Sequence, residues 1–320
     1  MKLPLPLRIC LAVLAVFAAN TCASAAPKAI ELPGAEAYPE SIAAGPDGAL
    51  YISSLGSGGV QRVAPGAARA ETWIAPGAFG TRSTFGVHAD AKTNTLWVCS
   101  NDASGLGVPG PSTVAGSYLE GFDLATGDGK ASYKLPGSAT LCNDLAIADD
   151  GAIYVTNSLA PQILRLRPGA EELEVFAEDT RFQPPTGAGL DGVAIGGDGN
   201  LYVDTFNGGE LFRVKIEGGK AGAVAKLGTT RPIRLPDALR HVAGNVFLMV
   251  EGGGALDRVT IAGDEATIET IKDGLAEPTS FATINGVAWV TEGQLSHLFD
   301  PKEKGPPSLP FKITPVRVGD

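Results

Sequence analysis

Short runs in which apolar and polar residues alternate dominate this chain, and Gly, Asp or Asn bound most of them. That is the pattern of half-buried strands joined by tight turns. Long stretches with the 3.6-residue period of an amphipathic helix are missing. The runs also repeat. Six segments share one order: a polar residue, a small one, an apolar pair, a turn, then a β-branched and aromatic run. They begin at Glu40-Ser41-Ile42-Ala43, Phe85-Gly86-Val87-His88, Asn143-Asp144-Leu145-Ala146, Asp191-Gly192-Val193-Ala194, Asp237-Ala238-Leu239-Arg240 and Thr279-Ser280-Phe281-Ala282. Turns such as Pro46-Asp47-Gly48, Asp149-Asp150-Gly151 and Gly197-Asp198-Gly199-Asn200 follow, and their glycines reach positive φ without a Cβ clash. The second runs are Leu50-Tyr51-Ile52, Leu96-Trp97-Val98, Ile153-Tyr154-Val155, Leu201-Tyr202-Val203, Val246-Phe247-Leu248 and Ala288-Trp289-Val290.

The starting points lie 45, 58, 48, 46 and 42 residues apart. A period of roughly 40–50 residues with about four strands per unit predicts an all-β, six-bladed β-propeller. The rival all-β sandwich does not account for six matching units. The long second interval marks an insertion, Asn101 to Glu120, which either covers a ligand site or is a surface excursion. A terminal strand must close the ring, and Lys28–Leu32 and Phe311–Val318 are the candidates, one outermost at each edge.

The first residues change the picture of where the protein works. Lys2 and Arg8, the apolar run Ile9 to Ala19, and Ala23-Ser24-Ala25 read as a secretory signal peptide cleaved after Ala25. Residues 1–25 are therefore set apart, and residues 26–320 form one domain, exported to the periplasm or secreted. The run is too short for a membrane span, and no later segment reaches ~20 unbroken apolar residues. The whole chain carries a formal charge of −10, and without Lys2 and Arg8 it is −12. That balance argues against nucleic acid or an anionic lipid surface as partner and suits a protein that attracts cations. Export leaves Cys99 and Cys142, which either pair as a disulfide or remain two buried thiols.

In a propeller the start of each first strand and the end of each second strand meet on one face. Glu40, Asn143, Asp191 and Asp237 then surround one opening, beside Ser53, Asn101, Asn157, Asp204, Glu251 and Glu292. Converging carboxylates repel, and a cation relieves that cost. Oxygen-only ligands favour calcium, with magnesium, manganese or zinc as alternatives. Asp and Asn at strand starts also cap turns locally, which is the competing reading.

Pro39-Glu40-Ser41, Cys142-Asn143-Asp144-Leu145-Ala146, and Leu190-Asp191-Gly192-Val193 running to Leu201-Tyr202-Val203-Asp204-Thr205-Phe206-Asn207-Gly208-Gly209 resemble the senescence marker protein, gluconolactonase and luciferin-regenerating enzyme family, to which regucalcin belongs. The resemblance spans nearly all of residues 30–300. It implies a six-bladed propeller holding one divalent cation through Glu40, Asn143 and Asp191. It further implies hydrolysis of a lactone or related ester, the metal polarising the carbonyl and a carboxylate activating water. Asp191 is then ligand and base candidate, and Asp237 the other base candidate. Thr84, Phe85, Asn101 and Asn157 are the substrate-binding candidates, for a small-molecule substrate. Where the family offers an Asn before Asp-Gly, this chain has Ser83-Thr84-Phe85-Gly86, which suits a less polar substrate than a sugar lactone.

Other signals carry less. Gly187-Ala188-Gly189-Leu190-Asp191-Gly192 fits G-x-G-x-x-G, but a strand rather than a helix follows it. His88, His241 and His297 lack zinc-type spacing, although a channel histidine could act as base. No G-x-S-x-G elbow is present. A non-catalytic ligand- or protein-binding propeller of the cell envelope is the alternative function. A strictosidine-synthase-like enzyme is a third reading, for which no residue speaks positively.

Overall fold

The computed structural model describes Met1, residues 27–303 and residues 305–319. The signal-peptide expectation falls outside the described residues. The regular structure described is almost entirely strand, with α1 (Ser296–Phe299) the one α-helix among the described residues. After β1 (Ile30–Leu32), the strands run in sets of four. The first set is β2 (Pro39–Ala44), β3 (Leu50–Ser54), β4 (Val60–Val63) and β5 (Glu71–Ile74). The second is β6 (Ser83–Asp90), β7 (Thr95–Asn101), β8 (Ser117–Asp123) and β9 (Gly129–Lys134). The third is β10 (Cys142–Ile147), β11 (Ile153–Asn157), β12 (Gln162–Leu166) and β13 (Glu174–Glu178). Then come β14 (Leu190–Ile195), β15 (Leu201–Thr205), β16 (Glu210–Glu217) and β17 (Lys220–Thr229). The fifth holds β18 (Pro236–Ala243), β19 (Val246–Glu251), β20 (Ala255–Ala262) and β21 (Glu265–Lys272). The chain ends with β22 (Pro278–Ile284), β23 (Val287–Glu292) and β24 (Phe311–Arg317).

Each set is an antiparallel meander in sequence order, and β1 adds beyond β24 to complete the last one. Ile30 pairs with Ile313 and Leu32 with Phe311, so both chain ends share one sheet. The expectation of one terminal strand at each edge is corrected accordingly: β24 is the third strand and β1 the outermost. The hydrogen-bonded sheets number five among the described residues, four of four strands and one of eight. The eight-stranded sheet arises because β17 runs on to Thr229 and pairs in parallel with the start of β21, Gly228 with Glu265 and Thr229 with Ala266.

Apolar layers fill the space between successive sets. Ala146, Tyr154, Ile163, Val193, Leu201 and Phe212 form one, and Ala194, Tyr202, Leu211, Leu239, Phe247 and Val259 the next. The Arg that ends several third strands links a set to its successor. Arg165 donates to Gly219 O (2.6 Å), Arg213 to Gly263 O (2.7 Å) and Arg258 to Val318 O (3.0 Å). Cys99 of β7 and Cys142 of β10 are joined by a disulfide across two neighbouring sets. Of the two readings left open for these cysteines, the structure has the bridge.

The insertion after β7 folds back on its own set. Asp102 pairs with Arg82 (2.8 Å), whose guanidinium also donates to Pro109 O and Val114 O, while Ser112 Oγ donates to Gly80 O (2.8 Å). These bonds tie the segment to the β5–β6 connection.

Glu120 in β8 is out of place in this core. It is buried between Val98 and Ser132, its Oε2 has no partner, and desolvation pushes its pKa up to about 8. A carboxyl whose folded pKa is raised is neutral and harmless below the unfolded pKa, and it costs stability as pH rises toward the folded value. Glu120→Gln is therefore expected to stabilise the fold by about 1–3 kcal/mol at pH 8–9 and by almost nothing at pH 4. Urea denaturation at both pH values checks this; an equal gain at both would contradict it.

Candidate functional site

The six first strands carry corresponding residues of the repeat at matching positions. At the first level stand Glu40, Phe85, Asn143, Asp191, Asp237 and Thr279; at the second, Ser41, Gly86, Asp144, Gly192, Ala238 and Ser280. The register shifts by a bulge here in all six pairings, between Pro39 and Ile42, Thr84 and Val87, Cys142 and Leu145, Leu190 and Val193, Pro236 and Leu239, and Pro278 and Ser280. Bulges re-aim side chains and sit next to functional sites. The first strands also approach closely. A Cβ on Gly192 would lie 2.2 Å from Asp237 O, and one on Gly86 2.3 Å from Asn143 O, so only glycine fits.

Glu40, Asn143 and Asp237 line one small cavity, closely packed, with Ser41, Gly86, Asp144, Ala238, Arg240 and Ser280. Glu40 and Asp191 are each 5% exposed and Asp237 7%. Glu40 Oε2 and Asp191 Oδ1 have no hydrogen-bond partner. Desolvation first, and then the neighbouring carboxylates, raise the pKa of Glu40, Asp191 and Asp237 well above the carboxylate range. The neighbouring Asp237 and Asn143 side chains partly offset this at Asp191. Two carboxyls in that relation share a proton as long as no cation is present. Asn143 is held in turn: its Nδ2 donates to Ser158 Oγ (2.8 Å), which donates to Leu190 O (2.6 Å).

One further pair was not recognised in the sequence as part of the site. Asp144 and Arg240 form a two-pronged ion pair, Nη1 to Oδ2 at 2.5 Å and Nη2 to Oδ1 at 3.0 Å. Val193 N also donates to Asp144 Oδ2 (3.1 Å). Asp204 Oδ1 accepts from Gly192 N (3.0 Å), while Oδ2 is unpaired and fully buried. At the matching positions Ser53, Thr156 and Thr291 accept from Ser41, Asp144 and Ser280 with a hydroxyl. The signal was in the alignment of the repeats, where a carboxylate or guanidinium stands among Ser, Thr or Ala.

The expected substrate contacts fare differently. Thr84 Oγ1 donates to Gly59 O (2.6 Å) and accepts from Ser54 N (2.9 Å). Asn101 brackets the backbone of Cys142, accepting from its N (2.9 Å) and donating to its O (2.8 Å). Asn157 accepts from Leu141 N (3.0 Å) and donates to Ala139 O (3.1 Å). All three are buried and bound to backbone between sets, and none lines the cavity. Phe85 is buried in an apolar cluster with Ile42, Cys99, Leu141 and Cys142. In this structure these four side chains hold backbone or apolar neighbours, because the backbone between sets leaves polar groups that need partners. His88 is half-buried, and desolvation followed by the positive charge of Arg240 pushes its pKa down to about 4. His241 and His297 bond to Gly244 O and Gly305 O at the periphery.

Among the described residues no three or more His, Cys, Asp or Glu side chains are grouped to hold a metal ion. Glu40, Asn143 and Asp191 supply two such side chains and an amide. Their unpaired buried oxygens and shared burial are what a hard cation requires. In that respect the residues present fit one.

Comparison with known proteins agrees with the architecture. A gluconolactonase from Xanthomonas campestris superimposes with a TM-score of 0.59 at 17% identity, covering 79% of this chain and 82% of that one. The chain shares its fold with gluconolactonases. The major Malassezia sympodialis allergen Mala s 1 matches over 91% of this chain and 96% of its own, with a TM-score of 0.68 and 14% identity. Virginiamycin B lyase from Staphylococcus aureus, solved with quinupristin, matches at a TM-score of 0.58 and 17% identity over 81% and 78%. The family described as strictosidine synthase-like, N-terminal, matches residues 15–63. No curated protein sequence matches the chain.

Proposed function

We propose that this protein is an exported six-bladed β-propeller and a divalent-cation-dependent hydrolase of a lactone or related ester. The eight-stranded sheet counts as two blades in this reading, since β14–β17 and β18–β21 are separate meanders joined by two residue pairs. The observation that carries the function is the pair of unpartnered buried oxygens, Glu40 Oε2 and Asp191 Oδ1, in a ring of carboxylates. A charge cluster with raised pKa values at the axis of a propeller is costly to the fold and marks a site. The gluconolactonase and allergen structures lend the fold; the lactonase reaction is our inference.

Glu40, Asn143 and Asp191 would hold the cation, with calcium the first choice for an all-oxygen set. When bound, it supplies a Lewis acid that polarises the ester carbonyl. Asn143, fixed by Ser158, orients its amide oxygen. Asp237, freed of the shared proton, takes a proton from water as the water oxygen bonds to the carbonyl carbon. The ring C–O bond then breaks, the proton passes from Asp237 to the leaving alkoxide, and a hydroxy acid departs.

The test is acid release from a panel of aliphatic and sugar lactones, before and after chelation, with calcium restored. We expect hydrolysis that chelator removes and calcium returns. Cation binding without turnover on any lactone would point to the binding-propeller reading, which gains from the absence of Thr84, Asn101 and Asn157 at the cavity. Neither binding nor turnover would overturn the proposal.

A further inference from the structure

At the fourth position of the six first-strand repeats stand Ala43, His88, Ala146, Ala194, Arg240 and Ala282. Four are alanine, packed in the apolar layers between sets, and Arg240 departs from them. Its guanidinium reaches the second level, holds Asp144 with two bonds, and donates to Leu239 O (2.9 Å). It lines the same cavity as Glu40, Asn143 and Asp237. Among the described residues it is the one basic side chain that ion-pairs with any of Glu40, Asp144, Asp191, Asp204 and Asp237. A guanidinium keeps its proton at any working pH, so this charge is permanent, and a strand fixes its position.

We propose, building on the cation reading above, that Arg240 is a resident counter-charge set beneath the carboxylate ring to weaken divalent-cation binding, with Asp144 cancelling part of its effect. A fixed positive charge in a poorly solvated throat acts on the ring through little dielectric screening. Removing it leaves Asp144 unbalanced and deepens the negative potential at the mouth. Removing Asp144 instead leaves Arg240 unopposed and makes the mouth less attractive. The neutral double replacement restores the balance.

Calcium titration by isothermal calorimetry reads these effects directly, with the thermal midpoint of each variant as a check on folding. Arg240→Met is expected to bind calcium at least about tenfold more tightly than the parent, and Arg240→Lys within about threefold of it. Asp144→Asn should bind about tenfold more weakly, and the double variant D144N/R240M should return to within about threefold. A folded Arg240→Met that binds no more tightly than the parent overturns the proposal while leaving the cation site standing. If that variant does not fold, an unchanged affinity in Asp144→Asn overturns it equally. If the parent binds no calcium, the cation reading fails for the natural chain; binding acquired by Arg240→Met would then support the counter-charge, and none acquired would sink it.

Discussion

Asp191→Asn is expected to remove calcium binding and to lower lactone hydrolysis at least about a hundredfold, with the fold intact. Asp191 has an unpaired buried oxygen, is 5% exposed, and lies within the electrostatic reach of Asp237 and Asn143. Its backbone is secured independently, since Thr156 Oγ1 donates to Asp191 O (2.6 Å), so an isosteric amide leaves the strand in place. Stability should move the opposite way. The raised pKa of Asp191 means that the cation-free fold is most stable below the carboxylate's ordinary value and weakens as pH rises. Cation-free Asp191→Asn should therefore melt higher than the parent at pH 8 and nearly with it at pH 4. Calorimetric titration and melting curves at the two pH values decide it. Full activity in the variant would remove Asp191 from the mechanism.

Breaking the Cys99–Cys142 disulfide is expected to cost about 4 kcal/mol, from the loop-closure entropy of a cross-link spanning 43 residues. Both cysteines are fully buried in the same apolar cluster, so the variant of choice is the double replacement Cys99→Ala and Cys142→Ala. The bridge also bears on the site. Cys142 is the residue before Asn143, and Asn101 grips its backbone from the neighbouring set. Loss of the bridge should therefore weaken calcium binding along with stability, by a smaller factor than a change in a ligand. Denaturant unfolding of the double variant against the oxidised parent measures the first effect. A difference below about 1 kcal/mol would show that the surrounding hydrogen bonds already fix these two sets.

How legible this was differs from residue to residue. The strands followed from period-two alternation, and their number from the repeat, because each four-stranded unit buries its faces only against its neighbours and so repeats the same pattern. The first-level polar residues were legible for the same reason: the repeat numbered them alike, and topology carried them to one axis. The ion pair was not legible. Asp144 and Arg240 are 96 residues apart, and each sits in its repeat at a place where small residues are the rule. Thr84, Asn101 and Asn157 each bind backbone in the structure, and strand-end amides and hydroxyls read alike in sequence whether they face a channel or a neighbouring backbone. Only the packing of one set on the next shows which.

The sequence by itself determined the class of strand, the turn positions, the spacing of the units and the acidic character of the axis, since these depend on local alternation and on repetition. The tertiary structure decided the order at the closing edge, the joining of β17 to β21, the disulfide, and the ion pair of Asp144 with Arg240. Those depend on distances between residues far apart in the chain, which periodicity does not encode.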